Sequence, residues 1–244
     1  ISEETLDPSD WEAFRARLHT MLDAAIDKME HAAEGRVWTP FPEEMKEAFS
    51  LAQTGLPPEE VDAVLRALLP YGVGNTHPRF FGWVHGSGTP FGLLPAMTEA
   101  AINANCGGRN HVGLRVERAL VEWIREVFAF PEGASGLVMS GTSMATVVAM
   151  KVARDAALDF RSREQGVDQS RLVAYTSAEA HACNARAFDI LGLGSDALRR
   201  IPVDAGFRMD TGALEEAIKA DREAGLRPFA IIGTAGTVNT GAID

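Results

Sequence analysis

Residues 171–203, RLVAYTSAEAHACNARAFDILGLGSDALRRIPV, read as a strand, a helix and a second strand in succession. The run 171–175 is a short apolar stretch with the composition of a buried strand. Apolar residues then recur at helical spacing over 181–191, and Gly192 and Gly194 punctuate the end. A further apolar run, 198–203, gives the next strand. Upstream, 136–139 reads as a short strand and 143–163 as a helix; downstream, 211–224 is a helix and 229–232 a strand. Strands that alternate with helices pair most readily in parallel, because each crossover needs a helix. The expected fold class is therefore α/β, with a mainly parallel sheet between helices.

The N-terminal region has a different rhythm. Trp11, Phe14, Leu18, Met21, Leu22, Ala25 and Met29 fall on one helical stripe. Gly35 closes that helix, and Pro40 and Pro42 forbid its continuation. A short helix is expected over 43–53. Pro57 and Pro58 open another, with Val61, Val64, Leu65 and Leu68 on one face. These helices have no core of their own, so their apolar faces require a partner surface. Residues 71–90, YGVGNTHPRFFGWVHGSGTP, are rich in Gly, His and aromatic residues and read as an irregular segment. Helices follow over 89–106 and 114–128.

Composition narrows the function classes. Of the 244 residues, 46% are hydrophobic and 23% charged, enough apolar content to form a core and exclude a disordered chain. The net charge is 23 − 34 = −11, which repels nucleic-acid backbones and anionic lipid. No apolar run is long enough to span a bilayer. Residues 1–10 are acidic and lack the layout of a signal peptide. The two cysteines, Cys106 and Cys183, argue against a disulfide framework and point to a reducing cytoplasm. No CxxC pair supports a metal site.

Three segments carry candidate chemistry. SGTSMAT, residues 140–146, follows a strand and opens a helix; free N–H groups, the positive end of the dipole and the Thr142 and Ser143 hydroxyls suit an anion. It is neither a GxGxxG nor a P-loop, and an ordinary helix cap has the same composition. SAEAHACNAR, residues 177–186, places His181 at a helix start on the ligand-binding edge of the sheet; taken singly, a histidine that caps or packs at a helix end is the favoured reading. IIGTAGTVNTGAID, residues 231–244, runs from a strand into a Gly/Thr-rich turn. Arg109 and Asn110 in GGRNHVG, and His77 and His85 around Phe80, Phe81 and Trp83, each have a plain structural reading on their own. The pairs Glu3–Glu4 and Glu43–Glu44 read as solvated faces.

The order of these segments, HPRFFGWVHGSGTPFGLLPAM, ALVEWIREVFAFP, SGTSMAT, SAEAHAC and IIGTAGTVNTGAID, resembles the group II pyridoxal-phosphate-dependent decarboxylases, the family of the aromatic-L-amino-acid and glutamate decarboxylases. The resemblance runs over nearly the whole chain. It implies the aspartate-aminotransferase-like fold (fold type I), an N-terminal helical segment packed on a partner subunit, and a homodimer with a shared active site. It further implies pyridoxal 5'-phosphate as cofactor: Thr142 and Ser143 match the phosphate-holding positions, His181 the histidine stacked on the pyridine ring and near the reacting carbon, and Thr234 the threonine beside the ring. His77, Phe80, Phe81 and Trp83 match the stretch that lines the substrate pocket.

The implied activity is decarboxylation of an L-amino acid, aromatic substrates being favoured over acidic ones. A related carbon–carbon lyase and a non-catalytic pseudo-enzyme subunit stand as alternatives. The family's cofactor lysine follows a histidine, and none of Lys28, Lys46, Lys151 and Lys219 does. The pyridinium-pairing Asp and that Lys are both expected beyond IIGTAGTVNTGAID. The chain is thus expected to be a fragment accompanied by a C-terminal companion, with residues 1–88 forming the helical and substrate-lining segment and 89–244 the first part of the cofactor domain.

Overall fold

The computed structural model describes residues 7–49, 55–105, 107, 110–167 and 170–244. Cys106, Arg109, Glu3 and Glu4 lie outside the described residues. The chain divides into two compact units, Ile1–Asn103 and Ala104–Asp244. The division falls after the helix that begins near residue 90 rather than before it, so that helix belongs with the N-terminal unit.

In the first unit, α1 (Trp11–Glu30) starts where Asp10 accepts hydrogen bonds from the N–H groups of Glu12 and Ala13, at 2.9 and 3.0 Å. A 3₁₀ segment, Glu43–Phe49, replaces the α-helix expected there, and α2 (Pro58–Leu68) starts at its proline. Arg17 on α1 grips the Asp62 carboxylate of α2 with Nε and Nη2 at 2.6 and 2.8 Å. After a 3₁₀ turn, α3 (Leu93–Ile102) ends on Asn103 in the left-handed conformation. None of these helices buries a residue, and His77 is the single buried one among the described residues of the unit. Trp11, Phe14, Leu18 and Leu22 of α1 and Leu93 and Met97 of α3 line an open apolar groove of ≈ 600 Å³. The expected lack of an independent helical core is what the structure shows.

The second unit carries the sheet. Its order is β2 (Leu198–Ile201), β1 (Leu172–Ser177), β3 (Arg227–Ile232), and both pairings are parallel. The central strand β1 is buried along its whole length, as a strand covered on both faces must be. Val173 and Tyr175 join Ile201 and Met209 on one face, covered by Leu214, Ala217 and Ile218 of α8 (Thr211–Glu223). Ala174 points the other way, with Leu198 and Phe188, against Met150 of α5 (Thr142–Ala157) and Ala185 of α7 (Cys183–Ile190). The register slips between Val173 and Ala174, opposite Pro228 and Ala230. Pro228 has no N–H to donate, and the ladder resumes after it.

Two carboxylates, the buried Asp155 and the half-buried Asp221, pin helices to this framework. Asp221 of α8 accepts from Tyr175 Oη at 3.0 Å and from Arg199 Nε and Nη2, both at 3.0 Å. The Arg199 hydrogen bond, helped by Tyr175 and opposed by burial, lowers the Asp221 carboxyl below the usual carboxylate range. Burial and then the Asp221 carboxylate push the Tyr175 phenol up to about 12. Asp155, near the end of α5, accepts from Arg154, Ser162 and Lys151. Burial raises its pKa, but these three partners outweigh burial and hold the carboxyl well below its usual range. Arg154 Nη1 also reaches the Leu191 carbonyl at 2.9 Å, which joins the C-terminal ends of α5 and α7.

Several sequence expectations need correction. Residues 136–139 form no strand. Leu137 and Val138 are 55% and 54% exposed, and the Val138 N–H goes to the Glu117 carboxylate at 3.0 Å instead of to a neighbouring strand; Glu117 lies on α4 (Val112–Val127). The helix expected over 143–163 stops at Ala157, because Asp159 and Phe160 take positive φ (51° and 60°); a single turn, α6 (Ser162–Gln165), follows. The strand expected over 198–203 ends at Ile201, beyond which Val203 makes only an isolated antiparallel bridge to Met209.

Candidate functional site

The second unit brings three of the sequence-selected segments to the C-terminal end of its parallel sheet. The first is the start of α5. Gly141, with φ 86° and ψ 146°, delivers the chain into the helix from a conformation that L-residues avoid. No side chain caps this end. The N–H groups of Thr142, Ser143 and Met144 are first-turn groups with no intrahelical acceptor, and Thr142 and Ser143 are exposed. Three amides, two hydroxyls and the positive end of a 16-residue helix are thereby left free for an anion.

The second is the turn between β1 and α7. His181 is exposed, and its Nδ1 accepts the Cys183 N–H at 3.1 Å while its carbonyl accepts the Asn184 N–H at 3.2 Å. With the Nδ1 lone pair engaged, the neutral ring bears its proton on Nε2. The starts of α5 and α7 are neighbours: Thr146 Oγ1 lies 3.9 Å from Cys183 Sγ, and the same hydroxyl donates to the Thr142 carbonyl at 2.9 Å. Thr142, Ser143 and His181 thus stand on the same face of the sheet, at the same end.

The third is the loop after β3. Thr234 donates its N–H to the Asp244 carboxylate at 3.0 Å and accepts the Asp244 N–H at its carbonyl at 3.1 Å. The other Asp244 carboxylate oxygen takes the Met209 N–H at 2.9 Å. An antiparallel bridge between Ala235 and Ile243 closes the loop. Sequence reasoning missed Asp244 as the group that fixes Thr234; an Asp ten residues on in a Gly/Thr-rich turn was the available signal. It also missed Ser177. This residue ends β1 fully buried, with an Oγ that has no hydrogen-bond partner, and a buried hydroxyl without a partner calls for one.

The aromatic stretch lies in the first unit. His77 is buried, its Nδ1 accepts the Arg79 N–H at 3.0 Å, and its Nε2 is without a partner. Phe80 and Trp83 meet edge to face at 6.0 Å, and His85 stacks on Phe80 at 6.3 Å. Phe81 is 93% exposed. Among the described residues there is no group of three or more His, Cys, Asp or Glu arranged to hold a metal ion, and no helix is long and apolar enough to cross a membrane.

Residues 42–244 match the family described as "Pyridoxal-dependent decarboxylase conserved domain". Aromatic-L-amino-acid decarboxylase of Bacillus atrophaeus is 29% identical over 96% of this chain and 48% of its own length. The human acidic amino acid decarboxylase GADL1 is 30% identical over 96% of this chain and 44% of its own length. The crystal structure of Oryza sativa TDC with PLP and tryptamine superposes with a TM-score of 0.80 at 24% identity, over 98% of this chain and 52% of that one. The chain spans about half the length of the curated relatives it matches.

Proposed function

Because the chain belongs to the pyridoxal-dependent decarboxylase family, we propose that its second unit provides the phosphate-binding and ring-stacking part of a pyridoxal 5'-phosphate site, in an enzyme that decarboxylates an L-amino acid. The observation that carries this reading is the adjacency of the α5 and α7 starts, with Thr146 beside Cys183. The donor set fits the group: amides and hydroxyls at Thr142–Ser143 suit a dianionic phosphate, and among the described residues no carboxylate is hydrogen-bonded there to repel it.

When bound, the cofactor supplies the electron sink that makes loss of carbon dioxide from an amino acid possible. The chain's own residues do the holding. Thr142 and Ser143 fix the phosphate and hence the position of the ring. The imidazole of His181 would stack on the cofactor, and its Nε2 would be the atom able to hold or pass a proton. Thr234, clamped by Asp244, would supply a further hydroxyl to hold the cofactor. His77, Phe80, Phe81 and Trp83 match the family's substrate-lining stretch, and their aromatic character favours an aromatic amino acid over an acidic one. The relatives include enzymes named for both classes.

The working enzyme is a homodimer, in which the apolar faces of α1 and α3 are covered by a second copy, and it operates in the cytoplasm, in keeping with the acidic surface and the buried free thiol of Cys183. The relatives are about twice as long as this chain, and no lysine in it follows a histidine. We therefore place the lysine that anchors the cofactor, and the acid that pairs with its ring nitrogen, in a companion C-terminal segment.

The test is cofactor affinity in the full-length protein. Each charge-assisted hydrogen bond to phosphate is worth about 1.5–3 kcal/mol, or roughly tenfold to a hundredfold in affinity. The double variant T142A/S143A is expected to bind pyridoxal phosphate at least tenfold more weakly while retaining its affinity for unphosphorylated pyridoxal. Equal weakening for both ligands would overturn the phosphate assignment. Cofactor binding without carbon dioxide release from any aromatic or acidic amino acid would favour a different lyase or a non-catalytic subunit.

A further inference from the structure

A buried hydrogen-bonded chain runs beneath the site and joins two of its segments. Thr176, on the α7-facing side of β1, donates its hydroxyl to the Ile232 carbonyl at 3.1 Å. Its oxygen accepts from Asn184 Nδ2 at 3.4 Å. The other end of that amide, Asn184 Oδ1, lies 3.7 Å from the Cys183 thiol. Thr176 and Asn184 are 3% and 7% exposed. Ile232 is the last residue of β3, two before Thr234; Asn184 sits in the first turn of α7, three after His181.

The start of α7 has no ordinary anchor. Its capping residue is Ala182, in a helical conformation and without a side-chain hydrogen bond. The turn is held by the Cys183 N–H donating to His181 Nδ1, the Asn184 N–H donating to the His181 carbonyl, and the side chain of Asn184. The His181 ring takes its orientation from the Cys183 amide, so any shift of the α7 start moves the imidazole with it. A buried amide costs stability unless it is paired; here the Nδ2 end links helix to sheet, and the Oδ1 end meets the neighbouring Cys183 thiol within α7.

We propose that Asn184, acting through Thr176, is a positioning residue that sets the height and orientation of His181 over the cofactor ring and couples it to the loop bearing Thr234. This inference rests on the pyridoxal-phosphate reading above. It adds a role for two buried residues that contact neither cofactor nor substrate.

Chemistry separates positioning from plain stability. Removing one partner strands the other, but replacing both by apolar groups of similar shape can be nearly neutral for folding. The double variant T176V/N184L in the full-length protein is therefore expected to melt close to the wild type as apoenzyme, yet to bind pyridoxal phosphate about tenfold more weakly, with a shifted visible absorption of the bound cofactor. T176S keeps the hydroxyl and is expected to stay within about twofold of wild type. The effect must act through His181: with H181A as background, adding T176V/N184L should change cofactor affinity by less than about twofold.

Full tenfold weakening in the H181A background would overturn the positioning role, as would a double variant with wild-type affinity and absorption. Should the double variant fail to fold, T176V alone against T176S decides by the same affinities. The parent reading is tested separately: if wild type binds pyridoxal phosphate and H181A binds it no more weakly, stacking by His181 fails whatever Asn184 does.

Discussion

Gly141 is the hinge on which the proposed phosphate site turns, and Gly141→Ala tests it most directly. At φ 86° and ψ 146° an L-residue is strained, by about 1–3 kcal/mol. A Cβ built there meets nothing within 4 Å, so no steric clash adds to the torsional cost. The chain can bear the strain as lost stability or relieve it by rotating the 141–142 peptide. Rotation swings the Thr142 N–H away from the anion and forfeits one charge-assisted bond, roughly tenfold to a hundredfold in affinity.

Gly166→Ala is the control. Gly166 has φ 74° and ψ −161°, is equally open, and follows α6 rather than opening α5. With a urea m-value of about 2 kcal/mol/M, a 1–3 kcal/mol loss lowers the unfolding midpoint by about 0.5–1.5 M. Both variants should show part or all of that shift, read by urea titration followed by circular dichroism. G141A alone should also bind pyridoxal phosphate at least about tenfold more weakly. A G141A protein with wild-type midpoint and wild-type affinity would refute the reasoning, since neither outlet for the strain would then exist.

Other consequences follow from the two carboxylates and the core. Asp155 has a folded pKa below its unfolded value of about 3.9, so its contribution is present above that pH and is lost as pH falls through it. D155N should cost about 3 kcal/mol at pH 7, with the gap to wild type narrowing below about pH 4 in denaturation curves; a gap independent of pH would contradict the ion-pair account. Tyr175 is displaced upward, so its contribution is present below pH 10 and is lost as pH rises toward about 12. The protein has two tyrosines; ultraviolet titration should show a step near 12 that Y175F abolishes. Phe188, fully buried against β1 and in ring contact with Phe229 at 6.0 Å, should cost about 3–5 kcal/mol when replaced by Ala, measured by the same urea titration.

How far the fold was legible depends on how local its causes are. The strand at Leu172–Ser177 and the helix over Thr211–Glu223 announced themselves, because continuous burial and a 3.6-residue stripe are properties of the segment itself. The opening of a helix at Thr142–Ser143 was legible for the same reason, although Gly141, not a hydroxyl residue, occupies the cap. Leu137 and Val138 misled because an apolar pair looks the same whether or not a strand lies beside it; a carboxylate 21 residues away decided the matter. The end of α5 was missed because the positive φ angles fall on Asp159 and Phe160, where no Gly or Pro marks a break.

The groups that hold the site were less legible than the groups that form it, and the reason is physical. A residue that meets a ligand must sit where the backbone ends a strand or begins a helix, and such places have a local composition. A residue that holds those places answers to partners supplied by the tertiary fold: Asp244 binds Met209, 35 positions away, and Thr176 reaches Ile232, 56 positions away. Asn184 looks like any polar residue in a helical first turn until the sheet sets Thr176 above it. Its effect on His181 passes through a single amide, Cys183 N–H, with a 3.1 Å bond to the ring. That bond would lose its direction if α7 began one residue later, which is why the anchor has to be buried and cannot be left to solvent.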